Sequence, residues 1–412
     1  MSLPAPRDVV VIGGGVIGLA VAWRIGATGL GVTVVDPAPG RGASWAAAGM
    51  LAPVGEAHFG EDALTELNLE ASRAWPDFAR QLEEASGRPV HLRRDGTLLV
   101  AGDASDRAAT DDILRYRQAL GLDAARLTAR RCRDLEPLLA PGISGGAELA
   151  EDHQVDNRLV VEALETACLV NGVSFVGDEV SEVLIDGGRV VGVALGHGGS
   201  RSAGAVVVAA GCRSGQLGGL PGSVLPPVRP VKGLTLRLQA PDNAPRLRRT
   251  VRGLVHGRSC YLVPRSDGTV VVGASVEEAG FDMSVQVRVV AELLDDARRL
   301  VPAVDEYAIV DTTVGLRPGS PDNAPIVGPT AVDGLVVATG HYRNGILLAP
   351  ITAHEITRMV TACWAGPSPS PVATGYGGTG STRPFDRFGP GRFAAEGRLF
   401  HPADGSQPAV VR

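Results

Sequence analysis

Near the start of the chain stands a glycine-rich turn that could hold a dinucleotide. In VVVIGGGVIGLA, from Val9 to Ala20, Gly13, Gly15 and Gly18 separate two apolar runs. Gly13 permits a tight turn, Gly15 removes a side chain that would block a pyrophosphate, and Gly18 lets helix and strand pack closely. The helix start then offers free N–H groups and a partial positive charge to phosphates. Asp36 follows, at the end of the next apolar run, where a carboxylate can accept both hydroxyls of an adenosine ribose. An acid there disfavours a 2′-phosphate. The turn alone does not choose between FAD and NAD. A second match, GYGGTG at 375–380, lacks a preceding strand and a following helix and carries no such meaning.

The elements that would position these residues follow from apolar spacing. Residues 9–12 predict a buried strand, 16–28 a helix and 32–36 a second strand, a βαβ opening. A helix is expected over 63–86, interrupted or kinked at Pro76, and another over 156–171 with Asp156 or Asn157 at its cap. Residues 180–195 predict a hairpin turning at Asp186-Gly187-Gly188, and 205–211 a buried strand. Short strands dominate 228–328, broken by one helix at about 284–300. A buried strand at 334–341 and a helix at 345–362 follow. The loop RGASWAAAGM (41–50) is rich in small residues that would let backbone approach a ligand or pack on the sheet.

With 412 residues the chain exceeds what one core holds, so two domains are expected. Its net charge of −6 gives no electrostatic case for nucleic acid. Five scattered cysteines without metal-ligand spacing fit a reducing compartment, buried small hydrophobes and no bound metal. MSLPAPRD lacks a cationic signal start, and the glycine-broken run Val9–Trp23 is too short to span a bilayer. A soluble cytoplasmic protein without membrane contact is expected.

Several stretches agree in order over residues 8–362: GGGVIG with Asp36, SWAAAGML, DHQVD (152–156), VVVAAG (206–211), PVKG (230–233), CYLVPRSDGTVVVGAS (260–275), GLRPGSPDNAPIVG (315–328) and GHYRNGILLAP (340–350). Together they resemble the D-amino-acid-oxidase-type FAD oxidoreductases, most of all the glycine oxidases of thiamine biosynthesis. The resemblance implies an α/β (α+β mixed) protein. Its FAD-binding Rossmann-like domain would be of the hydroxybenzoate-hydroxylase type, with an inserted antiparallel or mixed-sheet substrate domain. Residues 1–55, 145–225 and 310–365 would form the first, and 56–144 and 226–309 the second. Residues 366–412, rich in Gly, Pro and Ser, would be a mobile tail.

The resemblance further implies FAD contacts at Val16, Ile17, Asp36 and Pro37, and at Ala43, Ser44, Ala48, Gly49 and Met50 of the second loop. Val180 would meet the adenine through its backbone. Gly340, His341, Tyr342, Arg343, Asn344, Gly345, Ile346 and Leu347 would lie along the flavin ring. The helix beginning there would favour the negative charge of reduced flavin. No cysteine lies in 315–328, where some relatives attach flavin, so non-covalent FAD is expected.

Arg317 would grip a substrate carboxylate through two parallel hydrogen bonds, Tyr261 would add a hydroxyl, and Arg343 would place a positive charge nearby. Val276 stands where relatives can have methionine beside the substrate, and Cys212 and Arg213 replace a frequent tryptophan segment. His153 is expected to be structural. No strong base is evident, and hydride transfer from a neutral amine needs none, so the protein's contribution is orientation and electrostatics.

The implied reaction is oxidation of glycine or a similar small amino acid, with O2 reduced to H2O2. A functional link to thiazole synthase and a homo-oligomer are implied with it. The alternatives are a D-amino-acid or sarcosine-type oxidase or dehydrogenase and a flavin-binding protein without turnover.

Overall fold

The computed structural model describes residues 8–222, 224, 226–362, 364 and 384–396. The motif at 375–380 lies outside them. Two sheets organise the chain. The first has six strands in the order Ile326–Pro329, Leu335–Thr339, Ala205–Val208, Asp8–Ile12, Gly31–Val35, Ser174–Val176. Neighbours are parallel except Ile326–Pro329, which runs antiparallel to Leu335–Thr339. These short strands are Val-rich and buried on both faces, as parallel strands covered on each side must be.

One face carries the helices Val16–Gly26, Asn157–Val170, Gly345–Ala362 and Asp62–Ser86, whose apolar residues share one core with the strands. The other face carries a three-stranded sheet, including the hairpin Val180–Asp186 and Arg189–Leu195 turning at Gly187-Gly188. The side chain of Asp156 accepts from the N–H groups of Arg158 and Leu159, so it is the cap of Asn157–Val170.

The second sheet has eight strands: Ala308–Gly319, Arg229–Gln239, Thr269–Gly273, Arg258–Pro264, Thr250–Val255, Thr97–Ala101, Gly145–Leu149, Ala125–Leu127. It is antiparallel except where Thr250–Val255 meets Thr97–Ala101. The helix Val287–Leu300 packs into its core.

Four expectations need correction. Asp62–Ser86 is one uninterrupted helix through Pro76. Trp75 and Phe78 anchor it on either side of the proline, and the Trp75 indole donates to the carbonyl of Leu347 at 2.9 Å. The same helix packs in the six-stranded core, and the strands Gly145–Leu149 and Ala308–Gly319 pair into the eight-stranded sheet. The segments therefore interleave more finely than the expected boundaries. Finally, residues 384–396 are no loose tail. Phe385 and Phe388 are buried in the first core, and Arg392 donates to both oxygens of Asp322.

Candidate active site

The glycine turn has little freedom to be anything else. Gly13 has φ +101°, and a Cβ on it would lie 2.5 Å from the carbonyl oxygen of Ala209. A Cβ on Gly18 would lie 1.9 Å from the carbonyl oxygen of Gly13, so the helix meets the turn only because Gly18 has no side chain. Gly15 differs. A Cβ there would meet only the Ser44 hydroxyl at 3.4 Å, because the residue faces an open cavity. Gly15 is also the helix cap and supplies no side-chain acceptor; the N–H of Val16 instead donates to Ser44 Oγ at 2.9 Å. Asp36 accepts 2.7 Å bonds from the N–H groups of Gly14 and Ala38, one on each carboxylate oxygen. Each oxygen keeps a lone pair for a further donor.

From this turn the cavity, about 730 Å³, runs to the eight-stranded sheet. Such a volume is in the upper half of the usual range for small-ligand sites. At the far end Arg317, on Ala308–Gly319, lies across its neighbour strand and donates to the carbonyls of Ser275 (3.1 Å) and Lys232 (3.5 Å). It can lie there because the neighbour is Gly233, on which a Cβ would come within 2.2 Å of Arg317 Nη1. Tyr261 repeats the device. Its cross-strand partner is Gly273, where a Cβ would stand 2.5 Å from the phenol oxygen. A glycine inside a strand is thus read as space for a side chain on the next strand.

Among the described residues no carboxylate pairs with Arg317 within 4 Å, and it bonds only to neutral carbonyls. Burial lowers its pKa, with Tyr261 opposing, but a guanidinium stays charged at any working pH. Burial raises the Tyr261 pKa, so its phenol remains an O–H donor. A charged fork and a neutral donor, both lining one cavity, suit a carboxylate.

A model of the family described as FAD dependent oxidoreductase matches residues 8–359. The chain belongs to this family. It is 32% identical to a glycine oxidase from Pseudomonas putida over 373 residues, which are 89% of this chain and 98% of that protein. It is 35% identical over 358 residues to the bifunctional protein ThiO/ThiG of Nostoc sp., covering 86% of this chain. There the chain spans about half the length of its relative, 52%. Among solved structures, a glycine oxidase from Geobacillus kaustophilus superposes with a TM-score of 0.80 at 31% identity, covering 86% of this chain and 94% of that one.

The FAD of this family fits the residues present. The bare Gly15 leaves a cradle that a Cβ would fill, at a helix start whose own cap residue has no side chain. Val16, Ile17, Asp36 and Pro37 line the cavity there. Ala43, Ser44, Ala48, Gly49 and Met50 line it from the second loop, and Val180 from the hairpin. His341, Tyr342, Arg343, Gly345 and Ile346 line it where Gly345–Ala362 begins.

Some expected residues stand elsewhere. Gly18 is spent on helix packing. Gly340 has φ +72° and makes the turn into the last segment. Asn344 is buried, with its carbonyl accepting from the N–H of Leu348. Leu347 points into the helical core, and its carbonyl serves Trp75. Val276 is 51% exposed beyond the end of its strand and is not among the residues lining the cavity.

His341 is buried, bonded to Thr352 Oγ1 at 3.1 Å, and burial pushes its pKa down to about 3. It is neutral at working pH. Cys132, Cys168 and Cys260 are buried free thiols, whereas Cys212 is half-buried and lines the cavity. Among the described residues no helix is long and apolar enough to cross a membrane.

Sequence reading missed a buried polar group behind the cavity. Glu56 lines it and pairs with Arg252 at 2.7 Å. Asp152 of DHQVD accepts from the N–H groups of Val54 and Gly55 at 2.9 Å, fixing the loop that carries Glu56. Arg265 donates to Gln154 Oε1 and to the carbonyls of Ala48 and Val155, tying the second loop to the eight-stranded sheet. The motif signal was DHQVD itself. His153 next to it lies on the two-residue strand paired with Leu51 and does not line the cavity.

Proposed function

We propose that this chain oxidises glycine or a similarly small amino acid to the imine, which water hydrolyses to the 2-oxo acid and ammonia, with O2 reduced to H2O2. The observation that carries this reading is the Arg317–Tyr261 pair lining the far end of the cavity from the glycine turn.

Gly13, Gly15, Val16 and Asp36 would hold the adenosine diphosphate part of FAD, non-covalently. The residues from His341 to Ile346 would flank the rest. FAD bound there would supply a two-electron oxidant able to accept hydride and to be reoxidised by O2. Arg317 binds the substrate carboxylate with two charge-assisted bonds, and Tyr261 adds a third donor. Held at one end, a small amino acid has few orientations left, and this restriction supplies the rate. Among the cavity-lining side chains Tyr261 is a protonated phenol and His341 a neutral, bonded imidazole, so neither is arranged as a strong base for the Cα proton. The neutral amine is the reacting form.

The relationship to bifunctional ThiO/ThiG supports delivery of the imine to a thiazole synthase, in the cytoplasm. The test is anaerobic mixing of the FAD-loaded protein with glycine, D-alanine, D-proline and sarcosine. Bleaching of the flavin band, fastest with glycine, and peroxide release on admitting air are expected. A flavin that no amino acid bleaches would refute the reading. Bleaching without peroxide would replace the oxidase by a dehydrogenase.

A further inference from the structure

At the substrate end the cavity is lined by an acid, Glu56, that the proposed reaction does not use. Glu56 is nine-tenths buried, and its two oxygens differ. Oε1 pairs with Arg252 at 2.7 Å, whereas Oε2 has no hydrogen-bond partner, with His58 Nε2 at 3.6 Å. The acid is ionised. Burial alone would raise its pKa, but Arg252, with smaller help from His58 and Arg343, holds it well below the usual carboxylate range.

Its position is fixed by backbone contacts. Asp152 holds Val54 and Gly55, Arg117 donates to the carbonyl of Gly55 at 2.6 Å, and a Cβ on Gly55 would collide with Asp152 and Arg252. The loop that carries the anion is held in place, and Arg252 holds one of its oxygens.

We propose that Glu56 sorts substrates by charge, admitting amino acids with one carboxylate and rejecting those with a second. Two guanidiniums besides Arg252 bear on this end of the cavity. Arg317 is taken by the first carboxylate; this rests on the function proposed above. Arg343 is exposed at the cavity wall, its guanidinium 5.2 Å from the Tyr342 ring centre, and is the cation a second carboxylate would seek. Glu56 already offsets that charge. A second carboxylate drawn to Arg343 would meet a like charge with no donor on its open oxygen, and like charges in a partly desolvated site repel. Replacing the acid with an amide would leave Arg343 free to accept it.

The test uses FAD-loaded protein at pH 8, with acetate and malonate as probes read by the change they cause in flavin absorbance. Wild type is expected to bind acetate at least about tenfold more tightly than malonate. Glu56→Gln should shrink that ratio by about tenfold, and Glu56→Asp, which keeps the charge, should preserve it. The kcat/KM ratio of glycine to iminodiacetate should move in parallel. A role confined to holding Arg252 would lower FAD retention or weaken both anions alike, leaving the ratio fixed.

Malonate binding wild type as tightly as acetate would overturn the inference, whatever the variants do. So would an unchanged ratio in Glu56→Gln. In either case, continued glycine oxidation would leave the proposed function standing. If neither anion bound and no amino acid were oxidised, the carboxylate site itself would fall and the charge filter with it.

Discussion

The two ends of the cavity are built from different materials. At the glycine turn the ligand-facing surface is backbone: the missing side chain at Gly15, a helix start that Gly13 and Gly18 allow to pack close, and one acid held by two N–H groups. At the eight-stranded sheet the surface is side chains laid flat over glycines on the adjacent strand, Arg317 over Gly233 and Tyr261 over Gly273. The first end is fixed by residues within one short stretch. The second depends on strands brought together from 233, 261, 273 and 317. Cofactor retention and substrate recognition should therefore fail separately.

The largest effect is expected at the turn. Gly18→Ala places a Cβ 1.9 Å from a backbone oxygen that cannot move without opening the strand–helix junction. Loss of about 3–5 kcal/mol of stability and of bound flavin should follow, read by thermal unfolding and the flavin-to-protein absorbance ratio. A yellow, normally stable variant would break the distinction from one side.

Gly233→Ala should do the opposite. Its Cβ would displace the Arg317 guanidinium by about an ångström while touching nothing at the turn, so FAD content holds and kcat/KM falls by about a hundredfold. Flavin loss as severe as in Gly18→Ala would show the two ends to be coupled. Tyr261→Phe removes only one donor to a charged acceptor. A rise in KM of about tenfold to a hundredfold is expected, with flavin content unchanged. An unaltered KM would take Tyr261 out of the carboxylate site.

The same contrast explains what could be read from the sequence. The turn, its flanking strands, the cap at Asp156 and the helix from Gly345 are local, and their periodicity and breakers announce them. Arg317 and Tyr261 could be nominated only through motif resemblance. What makes them usable, Gly273 opposite Tyr261 and Gly233 two residues along the strand from the partner of Arg317, is a matter of strand pairing. Glu56, and the part Asp152 of DHQVD plays in holding its loop, escaped notice because the contact spans 97 residues or more and carries no periodic signal.

Position relative to a motif says nothing about where a strand ends; the one before Val276 ends at Gly273. The helix Asp62–Ser86 ran through Pro76 because burial of Trp75 and Phe78 outweighed one missing N–H. Composition likewise suggested a loose tail where two phenylalanines are packed in the core.

The most direct measurement removes the guanidinium and leaves everything else. Arg317→Gln should purify with wild-type flavin content and thermal stability, yet lose about a thousandfold in kcat/KM for glycine, and acetate should no longer perturb its flavin spectrum. Full activity with undiminished acetate binding in that variant would contradict the account.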